Sequence, residues 1–235
     1  MLPKLAVFDV AGTTVLDDDN AVGGKVCEAL AEDGIETNLD DVNPLMGMPK
    51  PLAVRRILEQ RLGYAPDPER IDRIHDRFQA LIIEHYRTSP TVEAMPGAVS
   101  LFHELRRHGC RVTLDTGFDR ATLEAVLDRL DWRSEVDDTV TSDEVARGRP
   151  HTDMIDALMK RSGVEEPSAV WKIGDSVSDL EQGLAARCGV VVAVLGVRTR
   201  PVIDRYPGVL PINRLEELIP MVREGRDPAR RGAMS

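Results

Sequence analysis

Short apolar runs, each ending in a polar cluster and each followed by residues at helical spacing, constrain the fold of this chain most. Leu5-Ala6-Val7-Phe8 ends at Asp9, Cys110–Leu114 at Asp115-Thr116-Gly117, and Ala169–Ile173 at Gly174-Asp175. Val190–Leu195 continues the series, with weaker runs near Asp138–Thr141 and ahead of the last helix. Runs this short and apolar read as strands buried on both faces. Between them the spacing predicts helices over Ala98–His108, Arg120–Leu130, Thr152–Arg161, Ser178–Arg187 and Arg214–Arg223. Strands alternating with helices of about 10 to 13 residues build βαβ units and a parallel sheet. The predicted fold class is therefore α/β, a doubly wound, Rossmann-like core.

The first two strands are separated by a block without strand signal. Ala21–Asp33 carries Val22, Val26, Ala29 and Leu30 at helical spacing and is closed by Gly34. Pro51 suits the first position of a helix running to Leu62. Pro68–Tyr86 places Ile71, Ile74, Phe78, Leu81, Ile82 and His85 on one stripe, with His75 beside it. Both histidines read as packing or surface residues rather than metal ligands. The expected organisation is a core of residues 1–16 and 92–223, an all-helical cap domain of residues 17–91, and a disordered Arg/Pro/Gly-rich tail, 224–235. A cap inserted into such a core leaves a cleft between them, and its motion can admit substrate and exclude water.

A net charge of −10 disfavours nucleic acid or an anionic membrane as partner, and makes any anionic substrate depend on a metal ion or on local Lys/Arg. Cys27, Cys110 and Cys188 are odd in number and lack metal-type spacing, which suits reduced thiols in a cytoplasmic protein. Cys110, heading an apolar run, reads as core. The N-terminus has no secretory h-region, and no run approaches the roughly 18 apolar residues of a membrane span.

A lone Asp after a strand is usually a turn cap. Asp9 has company. Thr116 follows the second strand, Arg149 precedes a helix in Gly148-Arg149-Pro150, and Asp175 and Asp179 follow another strand in Gly174-Asp175-Ser176-Val177-Ser178-Asp179. In open α/β sheets, ligands bind in the crevice at the carboxyl ends of the strands. One carboxylate there can attack phosphorus, a second can help hold Mg²⁺, and a hydroxyl, backbone N–H groups and a cation can bind phosphoryl oxygens. Clustered carboxylates would otherwise repel one another and the anion, so the charge balance calls for a metal.

These four segments resemble, in order, the four motifs of the haloacid dehalogenase superfamily. The resemblance implies Asp9 as nucleophile, Thr116 as phosphate-binding hydroxyl and Arg149 as the basic residue of the third motif. It further implies Mg²⁺ held by Asp9, the Ala11 backbone carbonyl, Asp175 and Asp179, with Gly12, Thr13, Met46, Gly117 and Phe118 contacting substrate.

Most phosphatases of that superfamily have a second Asp two residues after the nucleophile, acting as general acid and then base. Here that position is Ala11, so ordinary ester cleavage lacks a helper worth about 10²- to 10⁴-fold. Asp9-x-Ala11-Gly12-Thr13-Thr14 instead resembles the phosphonatase (phosphonoacetaldehyde hydrolase) branch, whose cap carries Met-Gly-x-x-Lys, as in Met46-Gly47-Met48-Pro49-Lys50. The two features belong together chemically. Breaking a C–P bond expels a carbanion, and a lysine condensed with the neighbouring aldehyde turns that carbanion into an enamine. Lys50 must be neutral to attack, and a helix N-terminus and desolvation would both lower its pKa. Two departures stand out: Ala53 replaces a His three residues after the lysine, and Phe118 replaces a Tyr. The branch also suggests a homodimer. A phosphatase of a small phosphate ester, such as phosphoglycolate or a sugar phosphate, and a non-catalytic phospho-ligand-binding protein remain alternatives.

Overall fold

Strands β1 (Leu5–Phe8), β2 (Arg111–Thr116), β3 (Asp138–Thr141), β4 (Val170–Gly174), β5 (Val190–Val194) and β6 (Leu210–Ile212) pair in parallel, in the order β3-β2-β1-β4-β5-β6. The structure, a computed structural model, describes residues 2–17 and 20–225. Of the expected tail, 224–235, residues 226–235 lie outside them. The helices are α1 (Ala21–Glu32), α2 (Leu39–Val42), α3 (Lys50–Leu62), α4 (Pro68–Thr88), α5 (Ala98–Arg107), α6 (Arg120–Leu130), α7 (Asp153–Ser162), α8 (Val177–Ala185) and α9 (Leu218–Arg223).

Alternation along β1 explains the two layers. Ala6 and Phe8 face the apolar side chains of α5, α6 and α9, while Leu5 and Val7 face those of α7. Leu180 of α8 packs on Val191 and Ala193 on that second side. This is the α/β doubly wound class read from the sequence. The cluster on the first face continues without a break into the helical block, through Val26, Leu30, Ile57, Leu58, Ile74, Phe78 and Ile82. Helix α4 packs against α6, and the Tyr86 ring meets Phe118 edge-on at 5.9 Å.

Three predicted elements shift and one short helix is new. Strand β2 runs on through Asp115 and Thr116, because a buried lysine on β4 neutralises the aspartate inside the sheet. The buried stripe of α4 ends on Tyr86, leaving His85 half-buried against that ring. The short α2 was missed, although Asn38 and Asp41 form a capping box around its start. Helix α9 begins at Leu218 rather than Arg214, since Pro220, lacking an N–H, fits only a first helical turn. Among the described residues no helix is long and apolar enough to cross a membrane.

Candidate active site

The order β3-β2-β1-β4-β5-β6 reverses direction between β1 and β4, the place where doubly wound sheets open a crevice. Asp9 leaves β1 there, its backbone N–H bonded to the Ile173 carbonyl of β4 at 2.9 Å. Thr116 ends β2 on one side of Asp9, and Asp175 follows β4 on the other. Gly12, at φ +86°, lets the turn after β1 lie against Asp175; an added Cβ would come within 2.5 Å of its Oδ2.

A narrow cleft with about 20 Å³ of free room opens at this point, lined by Asp9, Ala11, Thr116, Arg149 and Asp175 from the sheet side and by Met46, Gly47 and Lys50 from the helical block. Gly117, Phe118 and Arg198 also line it. The loop Met46-Gly47-Met48-Pro49 brings Lys50 in, and it does so by close backbone approach. A Cβ on Gly117 would sit 2.5 Å from the Met48 carbonyl oxygen, and one on Gly47 (φ +81°) would overlap the Ser176 and Ser178 hydroxyls. Ser178 Oγ donates to the Met46 carbonyl at 3.3 Å. Lys50 is the first residue of α3, not the residue before it, and is almost wholly buried. Its Nζ lies 5.3 Å from the centre of the Phe118 ring and 6.0 Å from that of Phe78, with the Met48 carbonyl as a long hydrogen-bond acceptor at 3.4 Å.

Three expected site residues stand behind this lining. Thr13 turns its hydroxyl to Asp175 Oδ1 at 3.1 Å, Gly12 shapes the turn, and Asp179 has both oxygens engaged. Asp179 Oδ1 takes Arg149 and Lys172 (2.9 Å to Lys172 Nζ), and Oδ2 takes the Ser176 hydroxyl and backbone N–H. Asp179 therefore anchors the basic residue. Arg149, fully buried, reaches from Asp179 to Asp9 Oδ1 at 2.6 Å. Thr116 Oγ1 accepts from the Phe118 N–H at 3.1 Å, which leaves its own hydrogen free to donate into the cleft.

Burial dominates the electrostatics. It pushes Asp9 up to about 7 against the pull of Arg149, with Asp179 and Asp175 repelling in the same direction as burial. Asp175 is likewise raised by burial, opposed by Arg198. Burial acts upward on Asp179 too, but Arg149 and Lys172 outweigh it and hold that carboxyl at about 2. Lys50 is lowered to about 8, first by burial and then by the Arg149 charge, against the attraction of Asp9. Desolvation, one of the two causes expected from the sequence, leads this shift, and the Arg149 cation adds to it.

A divalent cation fits one side of this site better than the other. The oxygens of Asp9, Asp115 and Asp179 lie within 4.8 Å of one another, yet Arg149 and Lys172 already bind that group. Asp9, Ala11 and Asp175 instead share the open cleft wall, and among the described residues Asp9 Oδ2 accepts no hydrogen bond. Around the site the carboxylates of Asp9, Asp17, Asp115, Asp175 and Asp179 outnumber the cations Lys50, Arg149, Lys172 and Arg198. Two hard carboxylates and a carbonyl suit Mg²⁺.

Asp115, Lys172, Asp17 and Arg198 were not singled out from the sequence. Lys172 and Asp115 carried a legible signal, because a charge inside an apolar, doubly buried strand needs a partner. Both are fully buried and paired to each other. Replacing Lys172 with Met is expected to leave Asp115 and Asp179 under-neutralised and to cost about 3–5 kcal/mol of stability, read from urea unfolding. A loss below about 1 kcal/mol would mean that the buried pair contributes little. Arg198 lies beyond the end of β5, one more strand end in the series already noted.

The sequence and the fold both have relatives among known proteins. A family model for haloacid dehalogenase-like hydrolases matches residues 3–187. Phosphonoacetaldehyde hydrolase of Bordetella pertussis is 28% identical over 190 residues, covering 77% of this chain and 68% of that protein. That of Bacteroides fragilis is 25% identical over 231 residues, covering 93% and 86%. Among solved structures, a phosphonoacetaldehyde hydrolase-like protein from Oleispira antarctica superposes with a TM-score of 0.80 at 20% identity, covering 99% of this chain and 96% of that one. CbbY from Rhodobacter sphaeroides, solved in complex with phosphate, superposes with a TM-score of 0.71 at 20% identity, covering 92% and 96%. The structural likenesses share the fold.

Proposed function

The chain belongs to the haloacid dehalogenase-like hydrolases, and from that premise we propose that it cleaves the C–P bond of a small aldehyde-bearing phosphonate, phosphonoacetaldehyde in the simplest case. The observation that carries this reading is the pairing of two facts: Ala11 cannot transfer a proton, and the buried Lys50 shares the cleft with Asp9. The phosphonoacetaldehyde hydrolases among the sequence relatives support it. The helical block from α1 to α4 acts as the cap that carries Lys50.

In this mechanism neutral Lys50 Nζ adds to the substrate carbonyl carbon, water leaves as one proton is taken up from solvent, and the protonated imine stands one carbon from the C–P bond. An oxygen of Asp9 attacks phosphorus while the electron pair of the C–P bond moves into the iminium, giving an enamine on Lys50 and an aspartyl-phosphate on Asp9. Arg149 and the hydroxyl of Thr116, with the backbone N–H groups beside it, hold phosphoryl oxygens. Arg149 is itself oriented by Asp179. Water then hydrolyses the acyl phosphate, and protonation and hydrolysis of the enamine return the lysine and release an aldehyde. Asp9, the Ala11 carbonyl and Asp175 would hold Mg²⁺, which when bound supplies positive charge beside the transferring phosphoryl group. Phe78 and Phe118 help enclose the lysine end, and it is this burial, with the Arg149 charge, that favours the neutral amine.

The test is borohydride reduction with phosphonoacetaldehyde present. It should add the reduced two-carbon imine to Lys50, located by peptide mass spectrometry, and the Lys50→Arg protein should show no adduct. An unlabelled Lys50 in an active enzyme would overturn the imine route. A second reading, hydrolysis of a phosphate ester, draws on the phosphoryl-binding end of the cleft and on the phosphate-bound structural neighbour. Phosphate release from phosphoglycolate with none from phosphonoacetaldehyde would favour it.

A further inference from the structure

Arg198 sits in the loop after β5, lines the cleft, and has a place in neither the family motifs nor the mechanism above. Its Nη1 donates to Asp175 Oδ2 at 2.7 Å. Its Nη2 donates to Asp17 Oδ2 at 2.7 Å and to Asn20 Oδ1 at 2.9 Å. Asp17 and Asn20 belong to the segment that leads from β1 into α1, and the Asp17 Oδ1 also accepts the Val22 N–H at 3.2 Å. One guanidinium thus ties a carboxylate of the catalytic cleft to the entrance of the helical block. The side chain is more than nine-tenths buried, and Arg198 Nε has no hydrogen-bond partner. A buried guanidinium with an unpaired N–H is held by charge more than by full hydrogen bonding.

We infer that Arg198 is an internal counter-cation that competes with the divalent metal for Asp175 and so sets metal affinity. The inference rests on the assignment of Asp175 as a metal-holding residue. Without the metal, Arg198 neutralises Asp175 and Asp17, two carboxylates that burial would otherwise leave unpaired. For a divalent cation to take Asp175 Oδ2, Arg198 must give up that oxygen. It keeps Asp17 and Asn20 as partners, so the guanidinium is not stranded. Metal affinity is therefore lower than the carboxylates alone would give, and metal binding removes one of the links between the Asp175 loop and the start of the helical block. Arg198 is a positioning residue: it acts through Asp175 and Asp17.

Calorimetric titration of Mg²⁺ into the metal-stripped full chain tests this without any turnover. Arg198→Met is expected to bind Mg²⁺ on the order of tenfold to a hundredfold more tightly than wild type, while its metal-free melting temperature falls. Arg198→Lys keeps the charge but cannot bridge Asp175 and Asp17 with a fork. It should also bind Mg²⁺ more tightly than wild type, which separates competition by contact from the general field of a nearby cation. Equal or weaker Mg²⁺ binding in both variants overturns the proposal and leaves the C–P reading intact. No Mg²⁺ binding by wild type or either variant overturns it together with the metal assignment. Should Arg198→Met fail to fold, the comparison of wild type with Arg198→Lys decides the question.

Discussion

Asp9→Asn is expected to lower phosphate release from phosphonoacetaldehyde by at least about a thousandfold while leaving the protein as stable as wild type, or more stable. The loss follows because the amide cannot displace at phosphorus, and among the described residues no other carboxylate oxygen at the cleft wall is both unpaired and beside Thr116 and Arg149. The stability follows from the charge. Burial raises Asp9 to about 7, so in the folded protein its ionised form is disfavoured relative to the unfolded chain. A native carboxyl that holds its proton longer than the unfolded one makes stability fall as pH rises from about 4 to about 7. Asn removes that penalty and can still accept the Arg149 bond through its own carbonyl oxygen. Phosphate release and metal-free thermal melts at pH 5 and 8 check both halves. Retention of a tenth or more of the activity would exclude Asp9 as the nucleophile.

The strand ends were legible in the sequence because each pairs a buried apolar run with residues that have no packing reason to be there. Asp9, Thr116, Arg149 and Asp175 all come to one cleft. Asp179 follows the same logic, and Thr13 is implied by the family resemblance, yet neither is among the residues that line it. A short motif fixes which residues are near one another, whereas side-chain direction depends on partners from elsewhere in the chain. Thr13 answers to Asp175, and Asp179 answers to Lys172, which is hidden inside β4. Lys50 was legible through Met46-Gly47, whose physical meaning is visible only in three dimensions: two glycines, Gly47 and Gly117, let the loop and the sheet edge meet without side chains between them. Arg198 was the hardest to foresee. It carries no motif, and its three partners lie at sequence separations of 181, 178 and 23.

Replacing Lys50 by Met should abolish C–P cleavage, a loss of at least about a thousandfold, because without the imine the departing carbanion has no electron sink. The pH dependence of the wild-type enzyme distinguishes this role from a merely electrostatic one. Burial and the Arg149 charge bring the Lys50 ammonium from the usual 10.5 to about 8. At pH 7 roughly a tenth of the molecules then carry the neutral amine, against fewer than one in a thousand for an ordinary lysine. Only that form can add to an aldehyde. Between about pH 7 and pH 8 the rate at limiting substrate should therefore rise about tenfold per pH unit, more steeply below 7 where Asp9 also holds its proton, and level off above 8. A Lys50 that served only as a phosphate-binding cation would give the opposite sign, losing activity as pH climbed through 8. Lys50→Arg sharpens the comparison: it keeps the charge at every accessible pH, so it should rescue an electrostatic role and leave an imine-forming enzyme inactive. Activity in the Lys50→Arg protein comparable to wild type, together with a falling limb near pH 8, would return the cleft to phosphate-ester chemistry.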